Sequence, residues 1–221
     1  MADQEKRVMI RAFLAVELTS DLRVALASIQ QDVKRRLERT VDRQARISWV
    51  QSASVHLTLK FLGDMPEESI EPLHAAIGAA ASAHRAIHLP LERLGAFPRP
   101  QQPRVLWAGP SQNWEQGEDA LRLVMLHRAI ETCCQAAGVA PEWRPLSPHL
   151  TLARIKEGER QVGKALAQSG VMDHPVAIGT LHIEAIVLMK SELRSTGSIY
   201  TKLWEAKLPG RDPTSSSSFS P

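Results

Sequence analysis

Val55-His56-Leu57-Thr58-Leu59 and Pro148-His149-Leu150-Thr151-Leu152 carry one string, His-Leu-Thr-Leu, in two copies 93 positions apart (His56 to His149). Each copy reads as a β-strand. Side chains alternate faces along a strand, so His56 and Thr58 project one way and Leu57 and Leu59 the other. The same holds for His149 and Thr151 against Leu150 and Leu152. Each copy therefore buries two leucines and presents one imidazole beside one hydroxyl. Two such strands facing each other make a cleft with two histidines and two threonines.

Working outward, residues 8–17 form an apolar strand rich in strand formers. Ser20 is expected to cap a helix that ends near Thr40, because Leu22, Leu26, Ile29, Val33 and Leu37 recur at helical spacing. Short strands follow at 47–50 and 55–62, the second closed by Gly63-Asp64. Residues 67–85 read as a helix with Ile70, Leu73 and Ile77 inward. Strands are expected at 87–97 and 104–108, with Pro98, Pro100 and Pro103 between them. A helix spans 118–137 with Gly138 as its stop. Strand 149–155, a short helix over 159–168, and strands 180–190 and 200–208 complete the pattern. Strands and helices do not alternate strictly, and several strands are joined by short turns. That pattern indicates an α+β fold rather than a doubly wound parallel sheet. Residues 1–209 read as one domain. Residues 210–221, rich in serine, are expected to form a disordered tail, since they offer too little apolar surface to offset ordering.

The composition narrows the function classes. The chain has 221 residues, 43% hydrophobic and 23% charged, as in an ordinary globular protein. No stretch approaches the ~18 uncharged apolar residues of a membrane-spanning helix. The N-terminus lacks the apolar block of a secretory signal, so a cytoplasmic location is expected. Cys133 and Cys134 are adjacent, which disfavours a disulfide and makes no zinc site of usual spacing. A formal net charge of +3 permits an anionic partner without demanding one.

The repeated pattern suits phosphoryl chemistry. A neutral imidazole takes a proton from an attacking nucleophile, and an imidazolium gives one to the leaving oxygen. Two hydroxyls donate hydrogen bonds to the non-bridging oxygens as charge builds there. The pattern brings no carboxylate cluster, and its spacing differs from the two-histidine helix of zinc proteases. The pattern therefore gives little support to Mg²⁺ or Zn²⁺ catalysis.

With these motifs the chain resembles the 2H phosphoesterases, and within them the bacterial and archaeal RNA 2′,3′-cyclic phosphodiesterases, also called 2′-5′ RNA ligases. The likeness extends beyond the motifs. Arg11-Ala-Phe-Leu-Ala-Val-Glu-Leu is similar to the family's first strand, and Ile47-Ser-Trp-Val with Val55-His-Leu-Thr-Leu-Lys-Phe-Leu-Gly to its first motif. Leu94-Gly-Ala-Phe-Pro and Pro103-Arg-Val-Leu-Trp-Ala-Gly look like its central hairpin. Pro148-His-Leu-Thr-Leu-Ala-Arg is similar to the second motif. The resemblance spans residues 8–208 in order. It implies two lobes related by a pseudo-twofold axis, each an antiparallel sheet backed by helices, with the active-site groove between them. It also implies hydrolysis of a 2′,3′-cyclic phosphate on an RNA 3′ end to a 2′-phosphate, with 2′-5′ ligation as a reverse reaction in some members. By resemblance His56 is the proton donor, His149 the proton acceptor, Thr58 and Thr151 bind the phosphate, and no metal or nucleotide cofactor is needed. The RNA end is the expected partner, and the chain is expected to act as a monomer. Rival readings are a phosphodiesterase for 2′-5′ oligoadenylate or a small cyclic nucleotide, or an RNA-end-binding module without catalysis.

Other residues admit two readings each. Arg154 is a phosphate ligand by resemblance or else a surface or structural ion pair. A regular strand places it on the leucine face, so the first reading needs the strand to bend there or the arginine to reach from the edge. Phe13 is either a platform for the terminal base or a core residue. Lys60 shares the parity of His56 and Thr58 and is a candidate for holding the phosphodiester. Trp49 and Trp107 read as core or groove wall. The basic run through Lys34, Arg35, Arg36, Arg39, Arg43 and Arg46 reads as a solvated helix face, with RNA guidance as the alternative. His74, His84, His88, His127, His174 and His182 lie outside the repeat and read as surface or structural.

Overall fold

In the computed structural model, residues 7–41, 45–194 and 197–210 are described. The expected tail, apart from Gly210, and Arg43 of the basic run lie outside them. The helices and strands run in the order β1 (Met9–Glu17), α1 (Ser20–Glu38), β2 (Arg46–Trp49), β3 (His56–Pro66), α2 (Ile70–Ser82), β4 (Ile87–Leu91), β5 (Arg93–Phe97), β6 (Val105–Gly109), α3 (Glu118–Ala136), β7 (Leu150–Glu157), α4 (Glu159–Ser169), β8 (Gly179–Ile183), β9 (Ala185–Arg194) and β10 (Gly197–Lys207). The fold is α+β, and every strand pairing described is antiparallel.

The main sheet has the order β10-β9-β1-β3-β7-β6-β5, with β2 also paired to β7. Its two halves meet between β3 and β7, where a single residue pair, Leu57 opposite Leu150, joins them. One lobe is β10-β9-β1-β3; the other is β7-β6-β5 with β2. Helices α2 and α3 pack together behind the first lobe, where the His74 ring stacks on Trp204 of β10 at 4.7 Å. Helix α1, with α4 beside it, backs the second: Gln30 donates to the carbonyls of Val50 and Leu152, both at 2.8 Å. The core lies between sheet and helices and includes Leu14, Leu57, Leu150 and Leu152. A separate small cluster of Phe13, Ala15, Val187 and Met189, with Tyr200 against it, sits on the other face of β1 and β9.

The structure departs from the sequence expectations at definable points. The cap of α1 is Thr19, not Ser20: Thr19 has extended backbone and accepts from the Leu22 amide, whereas Ser20 already lies in the first turn. The strand expected over 87–97 is two strands in different sheets, because β4 pairs with β8 and β5 with β6. The strand expected over 180–190 likewise divides at Glu184 into β8 and β9. Helix α2 is shorter than expected, since Glu67–Ser69 is a 3-10 turn. Helix α3 ends as anticipated: Gly138 takes φ 81°, and the amides of Gly138 and Val139 donate back to Gln135 and Cys134.

Candidate active site

His56 opens β3, and His149 stands just before β7. Each ring is fixed the same way. His56 Nδ1 donates to the Ser54 carbonyl at 2.8 Å, and His149 Nδ1 donates to the Ser147 carbonyl at 2.8 Å. A carbonyl oxygen only accepts, so Nδ1 carries the proton and Nε2 keeps its lone pair in the neutral ring. The Ser54 carbonyl is itself held, because Arg23 from α1 ties down its turn. Arg23 Nη1 donates to the carbonyls of Ser52 and Ala53, and Nε to that of Leu18. Nothing in a linear motif marks Arg23, Ser54 or Ser147 for this work.

Aromatic rings wall both histidines. Phe13 lies 4.7 Å from His56 and Tyr200 stands edge-on at 5.2 Å. On the other side Phe97 stands edge-on to His149 at 5.0 Å, with Trp107 at 6.5 Å. Burial pushes both imidazoles below the ordinary histidine value. The Ser54 and Ser147 hydrogen bonds partly oppose this, and the Arg154 guanidinium reinforces it at both rings. His56 also feels charge on His149.

Two β-bulges decide what else enters the groove. Ala15 pairs with Thr58 and Leu14 with Lys60, so Leu59 is an extra residue in β3. Trp107 pairs with Thr151 and Leu106 with Ala153, so Leu152 is an extra residue in β7. The bulges fall at equivalent places in the two copies, one residue after each threonine. Each resets the alternation, so the groove-facing position becomes the third residue after the threonine. That residue is Phe61 in the first copy and Arg154 in the second. Arg154 thus lines the same cavity as Thr151, and the irregularity in the strand is the bend that its reading as a phosphate ligand needs.

The same reset removes Lys60 from the groove. Lys60 is 5% exposed and turns inward, where its ammonium lies 2.8 Å from Glu131 Oε1 and donates to the Ala140 carbonyl at 2.9 Å. Its expected contact with the phosphodiester is overturned. Phe13 lies on the groove face but is 3% exposed, covered by His56, Phe61 and Tyr200. The ring lines the cavity while packing against His56, and little of it is open to a base. The exposed ring here is Phe61, at 65%.

A cavity of about 180 Å³ brings His56, Thr58, Thr151 and Arg154 together, with Arg11 and Tyr200 at its margin. His149 shares the face of Thr151, two residues away. A larger open depression of about 850 Å³ lies past Phe97, beside Arg104 and the start of α4. It is lined by neither histidine, whereas the smaller cavity is lined by His56, though not by His149. Trp107 is a groove wall, and Trp49 is partly buried against the core. On α1, Lys34, Arg35 and Arg36 pair with Glu38 and Asp32 of the same helix, which makes a solvated face. Among the described residues no three His, Cys, Asp or Glu side chains converge as a metal site requires.

Comparison with known proteins places the chain in a family. The family model for LigT-like phosphoesterases matches residues 16–107 and 117–200. An RNA 2′,3′-cyclic phosphodiesterase of Methanothermobacter thermautotrophicus is 30% identical over 194 residues, covering 88% of this chain and 96% of that protein. One from Aeropyrum pernix is 35% identical over 163 residues, covering 72% and 84%. A crystal structure from Thermus thermophilus superposes with a TM-score of 0.68 at 27% identity, over 92% of this chain and all of that one. The fold is also that of E. coli LigT, solved with 3′-AMP, at a TM-score of 0.64 and 22% identity, over 91% and 99% of the two chains. A matched model running through both histidine motifs, together with relatives aligned along most of their length, establishes that this chain belongs to the LigT-like phosphoesterases of the 2H superfamily.

Proposed function

We propose that the protein hydrolyses the terminal 2′,3′-cyclic phosphate of RNA to a 2′-phosphate and a free 3′-hydroxyl, by two-histidine acid–base catalysis without a metal. The observation that carries this reading is the matched tethering of the two imidazoles. Each is held through Nδ1 by the carbonyl two residues before it, and each stands two residues before a threonine that lines the same cavity. The relatives named as RNA 2′,3′-cyclic phosphodiesterases supply the substrate class.

The steps balance with these residues. His149 Nε2 takes a proton from water as the water oxygen bonds to phosphorus. The bond from phosphorus to O3′ breaks, and His56 Nε2 gives its proton to O3′. Thr58, Thr151 and Arg154 hold the non-bridging oxygens, where negative charge grows. The free groove disfavours imidazolium, and a bound anionic diester reverses this at His56, so substrate arms the acid. A ribose hydroxyl entering in place of water gives a 2′-5′ linkage by the same steps. One chain supplies both histidines, so we assign the monomer as the active form, working in the cytoplasm. Among the described residues no helix is long and apolar enough to cross a membrane.

The test is incubation with a short RNA ending in a 2′,3′-cyclic phosphate, in the presence of EDTA, followed by ³¹P NMR. A 2′-phosphate product is expected. A 3′-phosphate product, an untouched substrate, or activity restored only by a divalent ion refutes the proposal.

A further inference from the structure

The two histidines sit in different lobes, and their spacing governs any shared chemistry. Yet the strands that carry them are joined by one residue pair, Leu57 with Leu150. A single rung does not define the angle or offset between two strands. Something else must set the distance from His56 to His149.

The strongest candidate is the buried ion pair of Lys60. Ammonium and carboxylate groups are seldom buried without a reason, since taking them from water is costly. Lys60 is 4% and Glu131 12% exposed at the side chain. Lys60 belongs to β3, four residues after His56, directly behind the bulge at Leu59. Its ammonium reaches Glu131 of α3 and also donates to the Ala140 carbonyl, at 2.9 Å each. Glu131 Oε2 in turn accepts from the Glu142 amide at 3.3 Å. Residues 140–142 begin the irregular segment that leads to His149. His127, on the same helix, lies beside this pair: its Nε2 is 3.7 Å from Glu131 Oε1. One polar cluster therefore grips the bulge of the first motif and the lead-in to the second.

We infer that Lys60 and Glu131 are positioning residues, which set the separation of the two catalytic histidines by tying the first motif to the segment that enters the second. The inference rests on the two-histidine reading of the site. A buried pair of this kind is replaceable by apolar residues of similar volume without loss of stability, whereas deleting one partner strands a buried charge. Stability and positioning therefore separate in a paired substitution.

The experiment compares wild type with Lys60→Met/Glu131→Met for melting temperature, KM and kcat on a cyclic-phosphate RNA. The phosphate ligands Thr58, Thr151 and Arg154 are untouched, so KM is expected to hold within about threefold. A histidine misplaced by about an ångström costs up to roughly 10²-fold, so kcat is expected to fall about 10- to 100-fold with the melting temperature retained. Lys60→Arg, which keeps the charge and the donors, is expected to hold kcat within about threefold. An unchanged kcat in the double variant, or a rise in KM that accounts for the whole loss, overturns the inference. Should the double variant fail to fold, Lys60→Gln/Glu131→Gln carries the same comparison, because it keeps donors and acceptors without charge. Wild-type activity on the same RNA is read in parallel, so a silent wild type refutes the proposed function and not the positioning role.

Discussion

Replacing Arg154 with methionine tests the bulge and the electrostatics of the site together. The side chain is exposed, and its cross-strand neighbours Val105 and Ser48 are retained, so the fold is expected to survive with a stability change within about 0.5 kcal/mol. Two effects on activity follow from the proposed mechanism. The first is loss of a charge-assisted hydrogen bond to the phosphate, worth about 1.5–3 kcal/mol. At about 1.36 kcal/mol per tenfold, kcat/KM falls roughly 10- to 150-fold. The second is a shift of the pH profile. The Arg154 guanidinium disfavours the imidazolium form of both His56 and His149. Removing it raises both, so both limbs of the bell move to higher pH. The assay is kcat/KM for a cyclic-phosphate RNA across about pH 5 to 8.5, with a melting curve for each protein. A loss under about threefold refutes the phosphate contact. A large loss with the bell unmoved refutes the electrostatic account of the two rings.

Three further outcomes follow. Both histidines lie below the ordinary value of 6.5, chiefly through burial, so the kcat/KM optimum is expected on the acid side of 6.5; an optimum above it contradicts the account. Because His56, His127 and His149 are all held below 6.5 in the fold, the unfolded chain takes up protons first as pH falls. Stability from these groups is complete above 6.5 and is lost as pH drops through their folded values, so melting temperature falls from about pH 7 to about pH 5; a flat or rising trend contradicts it. Gly95→Ala drives a methyl into the Trp107 ring, beside His149. Overpacking of this kind costs about 1–3 kcal/mol, and kcat is expected to drop several-fold; a native melting temperature with full activity refutes the close contact.

Much of this arrangement is legible in residue pattern. The paired His-Leu-Thr-Leu strings place both imidazoles and both hydroxyls on one face, because alternation is local and reliable over four residues. Alternation read rigidly beyond the threonines misplaces Lys60 and Arg154, because a bulge shifts every later side chain to the other face. The signal for it is present in both copies. Buried positions run Leu57, Leu59, Leu62 and Leu150, Leu152, Ile155, with spacing two and then three. The division of 87–97 is written the same way, since buried residues run Ile87, Leu89, Leu91 and then Leu94, Ala96. Leu181 and Ile183 followed by Ile186 and Leu188 repeat it. What local pattern does not show is contact across the chain. Arg23 on the turn before His56, Tyr200 beside His56, Phe97 beside His149 and Glu131 beneath Lys60 all come from distant segments, brought together by packing. Phe13 illustrates the converse: its strand face is legible, but its 3% exposure depends on rings from β3 and β10.

The central claim is that His56 protonates O3′ while His149 activates water, and replacing the 3′ bridging oxygen by sulfur tests it most directly. A thiolate leaves without a proton, so only the variant that lacks the acid regains rate. With ordinary cyclic-phosphate RNA, His56→Ala and His149→Ala are each expected to lose about 10²–10⁴ in kcat. With the 3′-thio substrate, His56→Ala is expected to approach wild type while His149→Ala stays impaired. Rescue of His149→Ala instead, or of neither variant, contradicts the assignment.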